Sequence, residues 1–114
     1  MKKLTDDFLP LAPAVLHILL ALAGEDLHGY GIMQEVARQS EGRYKLGPGT
    51  LYDNLQRLVK QRVVEPTDED PDSRRRYYRL TSLGSRVISA EIARLETVVR
   101  EGRLRIPASG LRRC

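Results

Sequence analysis

Residues 47–62 read Gly47-Pro48-Gly49-Thr50-Leu51-Tyr52-Asp53-Asn54-Leu55-Gln56-Arg57-Leu58-Val59-Lys60-Gln61-Arg62, and this stretch decides the fold. Pro48 suits a first helical position, where its missing N–H has no helical partner to lose. From there Leu51, Leu55, Leu58 and Val59 recur at i, i+4, i+7 and i+8, the spacing of one helical face. Thr50, Asp53, Asn54 and Arg57 take the opposite side, so the helix, ending near Gln61, buries a stripe and presents a varied polar surface.

C-terminal to this helix the periodicity shortens to that of strands. Val63-Val64 and Arg75–Thr81 read as two short strands around Asp70-Pro71-Asp72-Ser73, a turn-forming cluster. In the second strand Tyr78 and Leu80 share a packing face, and Arg75, Tyr77 and Arg79 lie on the other. Thr81 is placed to cap a last helix from Ser82 to about Arg103, on which Ile88, Ile92, Leu95 and Val99 repeat at the 4-3-4 spacing of a coiled-coil seam. Pro107 ends it. N-terminal to the deciding stretch, Tyr30, Met33, Val36 and Ala37 line one face of a helix over roughly 29–39. Before that, Val15, Ile18, Leu19 and Leu22, widened by Leu16 and Leu20, form a helix from Pro13 to Ala23 that is buried on more than one side.

The predicted order is therefore helix, helix, helix, strand, strand, long helix. This is a mostly α chain with a small β-hairpin, the order of a winged helix-turn-helix, in which the third helix enters the major groove of DNA and the hairpin reaches the flanking backbone. Residues 1–81 would form the DNA-binding domain, 82–106 a C-terminal dimerisation helix and 107–114 a flexible tail. The charge follows this plan. Of the formal +4 on 114 residues, the segment 38–62 alone carries +4, with Lys45, Arg57 and four further bases against Glu41 and Asp53. The wing adds Arg74, Arg75, Arg76 and Arg79, positioned to neutralise phosphates. A basic hairpin is also the ordinary form of a solvated edge, and Glu65, Asp68, Glu69, Asp70 and Asp72 stand directly before it to pair with it locally.

Other classes are excluded or disfavoured. A chain of 114 residues is too short for a catalytic barrel or a doubly wound nucleotide fold, and it holds no nucleophile–base pair, phosphate loop or supported carboxylate dyad, so no enzyme is expected. Cys114 stands alone, which rules out an intrachain disulfide and fits a reducing, cytoplasmic setting, although an interchain one is open to it. The apolar run Leu11 to Ala23 is too short to cross a bilayer and is broken by Pro13 and His17. His17 reads as a packed core histidine and His28 as bonding its own backbone; a metal would need both with a carboxylate such as Asp26, so neither metal nor cofactor is expected.

Three stretches resemble the PadR-type transcriptional regulators, and among them the short subfamily with a single C-terminal helix. They are His28-Gly29-Tyr30-Gly31-Ile32; Gly49-Thr50-Leu51-Tyr52 followed by Leu55, Arg57 and Leu58; and Arg76-Tyr77-Tyr78-Arg79-Leu80-Thr81 with Gly84, spanning together with their gaps about residues 10–104. The sequence also departs from the pattern. Members often have Pro after the tyrosine of the third helix and a Glu-Gly pair at its end, where this chain has Asp53 and Gln61-Arg62. Asp53 then either accepts from a cytosine amino group or lies off the DNA. Gly31 replaces a longer residue, at roughly 1 kcal/mol of helix propensity.

The resemblance and the polar face agree on Thr50, Tyr52, Asn54 and Arg57 as DNA contacts, with Lys45, Arg74, Arg75, Arg76, Tyr77 and Arg79 on the flanking backbone. Packing against the second helix is the alternative for Tyr52, and a solvated surface charge that for Arg57. A lone core of this size is marginal, and the uncharged seam Ile88, Ile92, Leu95 and Val99, with Leu11 and Val15, points to a homodimer; folding of the seam onto the first helix of the same chain is the alternative. Two recognition helices would then sit about 34 Å apart and match a palindromic operator on double-stranded DNA. Relatives of the short subfamily imply a small-molecule effector at the dimer centre, here among Leu11, Val15, Ile92 and Leu95, although the same residues serve equally as dimer core and the chain has no Trp for stacking. The expected function is a dimeric repressor released by an effector, against a winged-helix adaptor without operator specificity. The operator, the regulated gene, the effector and the direction of regulation are not legible in the sequence.

Overall fold

A computed structural model describes residues 5–67 and 76–107. The helices are α1 (Pro13–Gly24), α2 (Gly29–Gln39), α3 (Pro48–Lys60) and α4 (Ser82–Arg105), and the strands are β1 (Leu27–His28), β2 (Val64–Thr67) and β3 (Tyr77–Leu80). As the apolar girth of α1 requires, this helix lies at the centre and touches α2, α3, α4 and β3. Its Ile18 and Leu19 are fully buried, and Ile32 and Val36 of α2, Leu51, Leu55 and Leu58 of α3, and Val87 of α4 close around them.

The hairpin is antiparallel as expected, but β3 is its centre, since the sheet order is β1-β3-β2. Leu27 pairs with Tyr78 and His28 with Tyr77 on one side, while Val64–Thr67 runs against Leu80–Tyr77 on the other. Two residues carry no alternation, which is why β1 left no trace in the sequence pattern. The first hairpin strand begins at Val64 and includes Pro66, tolerated because β2 is an edge. Val63 is kept out of it by the end of α3. There the Val63 N–H donates to Leu58 O and the Arg62 N–H to Val59 O, a Schellman cap with Arg62 at φ 62°, the left-handed position where glycine is the usual occupant. The turn Asp70–Ser73 with Arg74 and Arg75 lies outside the described residues.

The start of α4 is fixed by the same junction. Thr81 caps the helix by accepting from the Gly84 N–H at 3.0 Å, and its own N–H donates to Val63 O at 3.1 Å. Gly84 lies so close to that carbonyl that a Cβ there would collide with it. The first turns of α4 thus rest on the domain, and this corrects one expectation: Ile88 is 5% exposed and belongs to the core of its own chain, not to an outward seam.

The other link between α4 and the domain is Glu91, a charged residue that is 1% exposed. Its carboxylate accepts from the Leu11 N–H at 2.8 Å and pairs with Arg94 on the next turn. The Arg94 bond, helped by the Leu11 N–H, holds its carboxyl below the ordinary 4.5 although burial pushes the other way. Glu35, by contrast, is pulled to about 2 by Arg38, but in a surface pair worth at most about 1 kcal/mol.

A depressed folded-state pKa stabilises fully above the unfolded value, and the stabilisation drains as pH falls through the folded one. Glu91→Ala, which orphans the Leu11 N–H, is expected to lower unfolding free energy by about 1–3 kcal/mol at pH 7. Glu91→Gln should show a shallower loss of stability than the wild type as pH drops below 4.5, measured by urea unfolding at a series of pH values.

Candidate nucleic-acid interface

Helix α3 turns Leu51, Leu55 and Leu58 inward and leaves Gly49, Thr50, Tyr52, Asp53, Gln56, Arg57 and Lys60 exposed. At about 100° per residue, Asp53 and Lys60 point most directly away from the core, with Gly49 and Gln56 on one side of them and Arg57 and Thr50 on the other. Gln56 and Lys60 were not singled out in the sequence, although both lie on the outward face, three and seven residues after Asp53. Asn54 is on a flank: it is half-buried and its side-chain amide donates to Thr50 O at 2.8 Å. The expected contacts on α3 therefore divide, with Thr50 and Arg57 on the open face, Asn54 turned back along the helix and Tyr52 at the opposite edge.

Tyr52 is 47% exposed and yet packed. Its hydroxyl lies over Gly29, the first residue of α2, where any Cβ would collide with it. The ring therefore both reaches the surface and sets the approach of α2 to α3. The start of α2 is held a second time by His28, whose Nδ1 accepts from the Gly31 N–H at 3.0 Å and whose ring meets Tyr77 edge-on at 5.2 Å. Tyr77 is thus half-buried on the wing. His17 stacks on Tyr44 at 5.0 Å, in the packing role expected of it.

Between α3 and the wing runs a groove of about 420 Å³ lined by Tyr52, Gln56, Lys60, Pro66, Arg76 and Tyr78. Arg76 and Lys60 are both exposed at it. Burial pushes the Tyr78 phenol up against the opposing pull of Arg76, so it stays neutral and a donor. Arg79 bonds Glu65 at 2.8 Å across the hairpin, half-exposed on both sides, so a phosphate can compete for it at little cost. Lys45 is exposed before α3, while Arg74 and Arg75 lie outside the described residues.

On the other flank of α3, Asn54, Arg57 and Gln61 share a cleft of about 220 Å³ with Asp7, Leu11 and Val15. A second cavity, about 550 Å³, lies between Thr5–Pro10 and Ala90, Ala93, Arg94 and Thr97 of α4. Leu11 and Val15 line the first, and neither of these two cavities includes Ile92 or Leu95. Beyond Glu91, α4 leaves the domain with an open apolar surface: Ile92 36%, Val98 53%, Val99 52% and Leu104 75% exposed. Val98 and Leu104 fall off the 4-3-4 spacing that identified Ile92, Leu95 and Val99.

The sequence profile of the transcriptional regulator PadR-like family matches residues 15–90, from the middle of α1 past the wing into α4. The chain belongs to the PadR-like family. Among its relatives, the transcriptional regulator Rv3488 of Mycobacterium tuberculosis is 36% identical over 87 residues, covering 75% of this chain and 78% of that protein. A PadR family transcription regulator from Clostridium difficile R20291 superposes with a TM-score of 0.65 at 22% identity, over 84% of this chain and all of that one. Bacillus subtilis PadR, solved in complex with operator DNA, superposes with a TM-score of 0.61 at 19% identity, over 73% of this chain and 47% of that one, a likeness of fold. This PadR-like chain is thus a winged-helix transcriptional regulator and not an enzyme. Among the described residues no helix is long and apolar enough to cross a membrane.

The Gly29–Tyr52 contact makes a measurable demand. Gly29→Ala is expected to cost about 1–3 kcal/mol by overpacking, and most of that cost should vanish in a Tyr52→Ala background, where the methyl group has space. Urea unfolding of the two single variants and the double variant gives the coupling.

Proposed function

We propose that this PadR-like regulator acts as a homodimer that binds a palindromic operator on double-stranded DNA and represses the adjoining gene until a small molecule releases it. The observation that carries the reading is the outer surface of α3. Apart from Pro48 and the Tyr52 ring it presents small and polar side chains, opens at a first turn holding only Pro48, Gly49 and Thr50, and is bordered by Lys60 and Arg76 at the wing groove. A helix so stripped enters a major groove, with Thr50, Tyr52, Gln56, Arg57 and Lys60 supplying donors to phosphates and base edges, and Lys45, Arg76, Tyr77 and Arg79 steadying the flanks. Asn54 contributes once its bond to Thr50 O is exchanged for a base edge.

The exposed apolar surface of α4 supports the dimer. Ile92, Val98 and Val99 on one side of a 24-residue helix are a surface that a second copy buries, with Leu95 between them. Leu11, Val15, Ile92 and Leu95 of two chains would converge near the centre, where an effector alters the spacing of the recognition helices.

Operator affinity is expected to fall by a thousandfold or more between about 50 and 200 mM salt. Arg57→Ala should weaken it by about tenfold or more and, if Arg57 holds a phosphate, reduce the salt slope by about one. Gel-shift titrations at several salt concentrations check this, and salt-insensitive binding would overturn the reading. Val99→Glu should give a monomer by sedimentation equilibrium and lose binding to the full palindrome.

A further inference from the structure

We propose that Asp53 chooses among operators: its carboxylate accepts a hydrogen bond from the amino group of a cytosine in the major groove and turns away guanine and thymine at that position. The inference rests on α3 being the recognition helix, and it assigns a specificity-determining role to one residue of that surface.

Three observations carry it. Asp53 is exposed on the part of α3 that points away from Leu51, Leu55 and Leu58, so a groove that receives the helix receives this side chain first. Among the described residues it has no hydrogen bond or ion pair, not even to Arg57 one turn on, so nothing in the protein uses its charge. The short side chain also has room to reach a base edge. Gly49, one turn earlier on the same face, has no side chain, and a Cβ placed on Gly47 or Gly49 would meet nothing within 4 Å, so no bulky group props this end of the helix away from the groove floor.

The chemistry then selects the base. A carboxylate only accepts. Guanine shows N7 and O6, both acceptors, and thymine shows O4 and a methyl group, so both repel it or leave it unpaired. Adenine sets its N7 acceptor beside its amino group, whereas cytosine offers the amino group alone. Facing phosphates, the carboxylate weakens binding at every sequence and recovers the loss only where a cytosine answers it, which is specificity by rejection. Arg57 and Lys60 on the same surface keep the helix attractive to DNA overall. Arg57 is donor-only and suits guanine, so side by side the two read neighbouring positions of opposite character.

Selection from a randomised duplex pool by the full-length wild type, Asp53→Ala and Asp53→Asn tests the proposal, with fold verified by circular dichroism. Wild type should fix cytosine at one position in each half-site, by roughly tenfold over other bases. Asp53→Ala should relax that position to all four bases while raising affinity for the unselected pool. Asp53→Asn should move the preference to adenine, which an amide contacts through N6 and N7. A wild-type motif that reappears unchanged in Asp53→Ala would overturn the role of Asp53 alone. Failure of the wild type to enrich any motif would overturn operator recognition itself, and this inference with it.

Discussion

The carbonyl oxygen of Val63 accepts the Thr81 N–H and lies against the Cα of Gly84, and at this point the end of α3 and the long helix are joined. Val63 is also the residue whose N–H closes the last turn of α3 onto Leu58. One residue thus closes the end of α3, precedes the wing and receives the first turn of α4. The approach is possible only because position 84 carries no side chain and because Thr81 spends its hydroxyl on both the α4 cap and the backbone at Arg62 and Val63. Through this junction, a displacement of the start of α4 would be felt at the end of α3 with little slack between.

A second tie runs through Glu91. A buried carboxylate is costly unless it is paired and hydrogen-bonded, and here Arg94 and the Leu11 N–H meet both needs. It holds the segment before α1 against α4. The result is a division of α4: its first turns are core, and the remainder is a charged helix that leaves Val98, Val99 and Leu104 exposed.

Much of this was legible in residue spacing. The inward stripe of α3, the amphipathic α2, the apolar girth of α1, the Thr81 cap and the order of elements all follow from local pattern, because each is decided within a few turns of chain. What escaped was decided by contacts distant in sequence. β1 is two residues that become a strand only because Tyr77 and Tyr78 are there to pair. Ile88 shares the spacing of Ile92, Leu95 and Val99, but spacing cannot tell where a helix leaves the body it rests on, and Ile88 lies before that point. The sequence shows no sign that Glu91 is buried, since its partner N–H is 80 residues away. For the site, a polar face was evident but its centre was not: Asp53, Gln56 and Lys60 stand outermost, Asn54 turns aside, and Tyr52 divides itself between the surface and Gly29.

In the proposed dimer, two copies of α3, set by paired α4 helices, read one face of a duplex about one helical turn apart. Hydroxyl-radical footprinting of the full-length chain on its selected operator measures this most directly. Two equivalent protected patches are expected on each strand, separated by about 10 base pairs and related by a two-fold axis. A single protected patch, or protection spread evenly along the duplex, would contradict that arrangement.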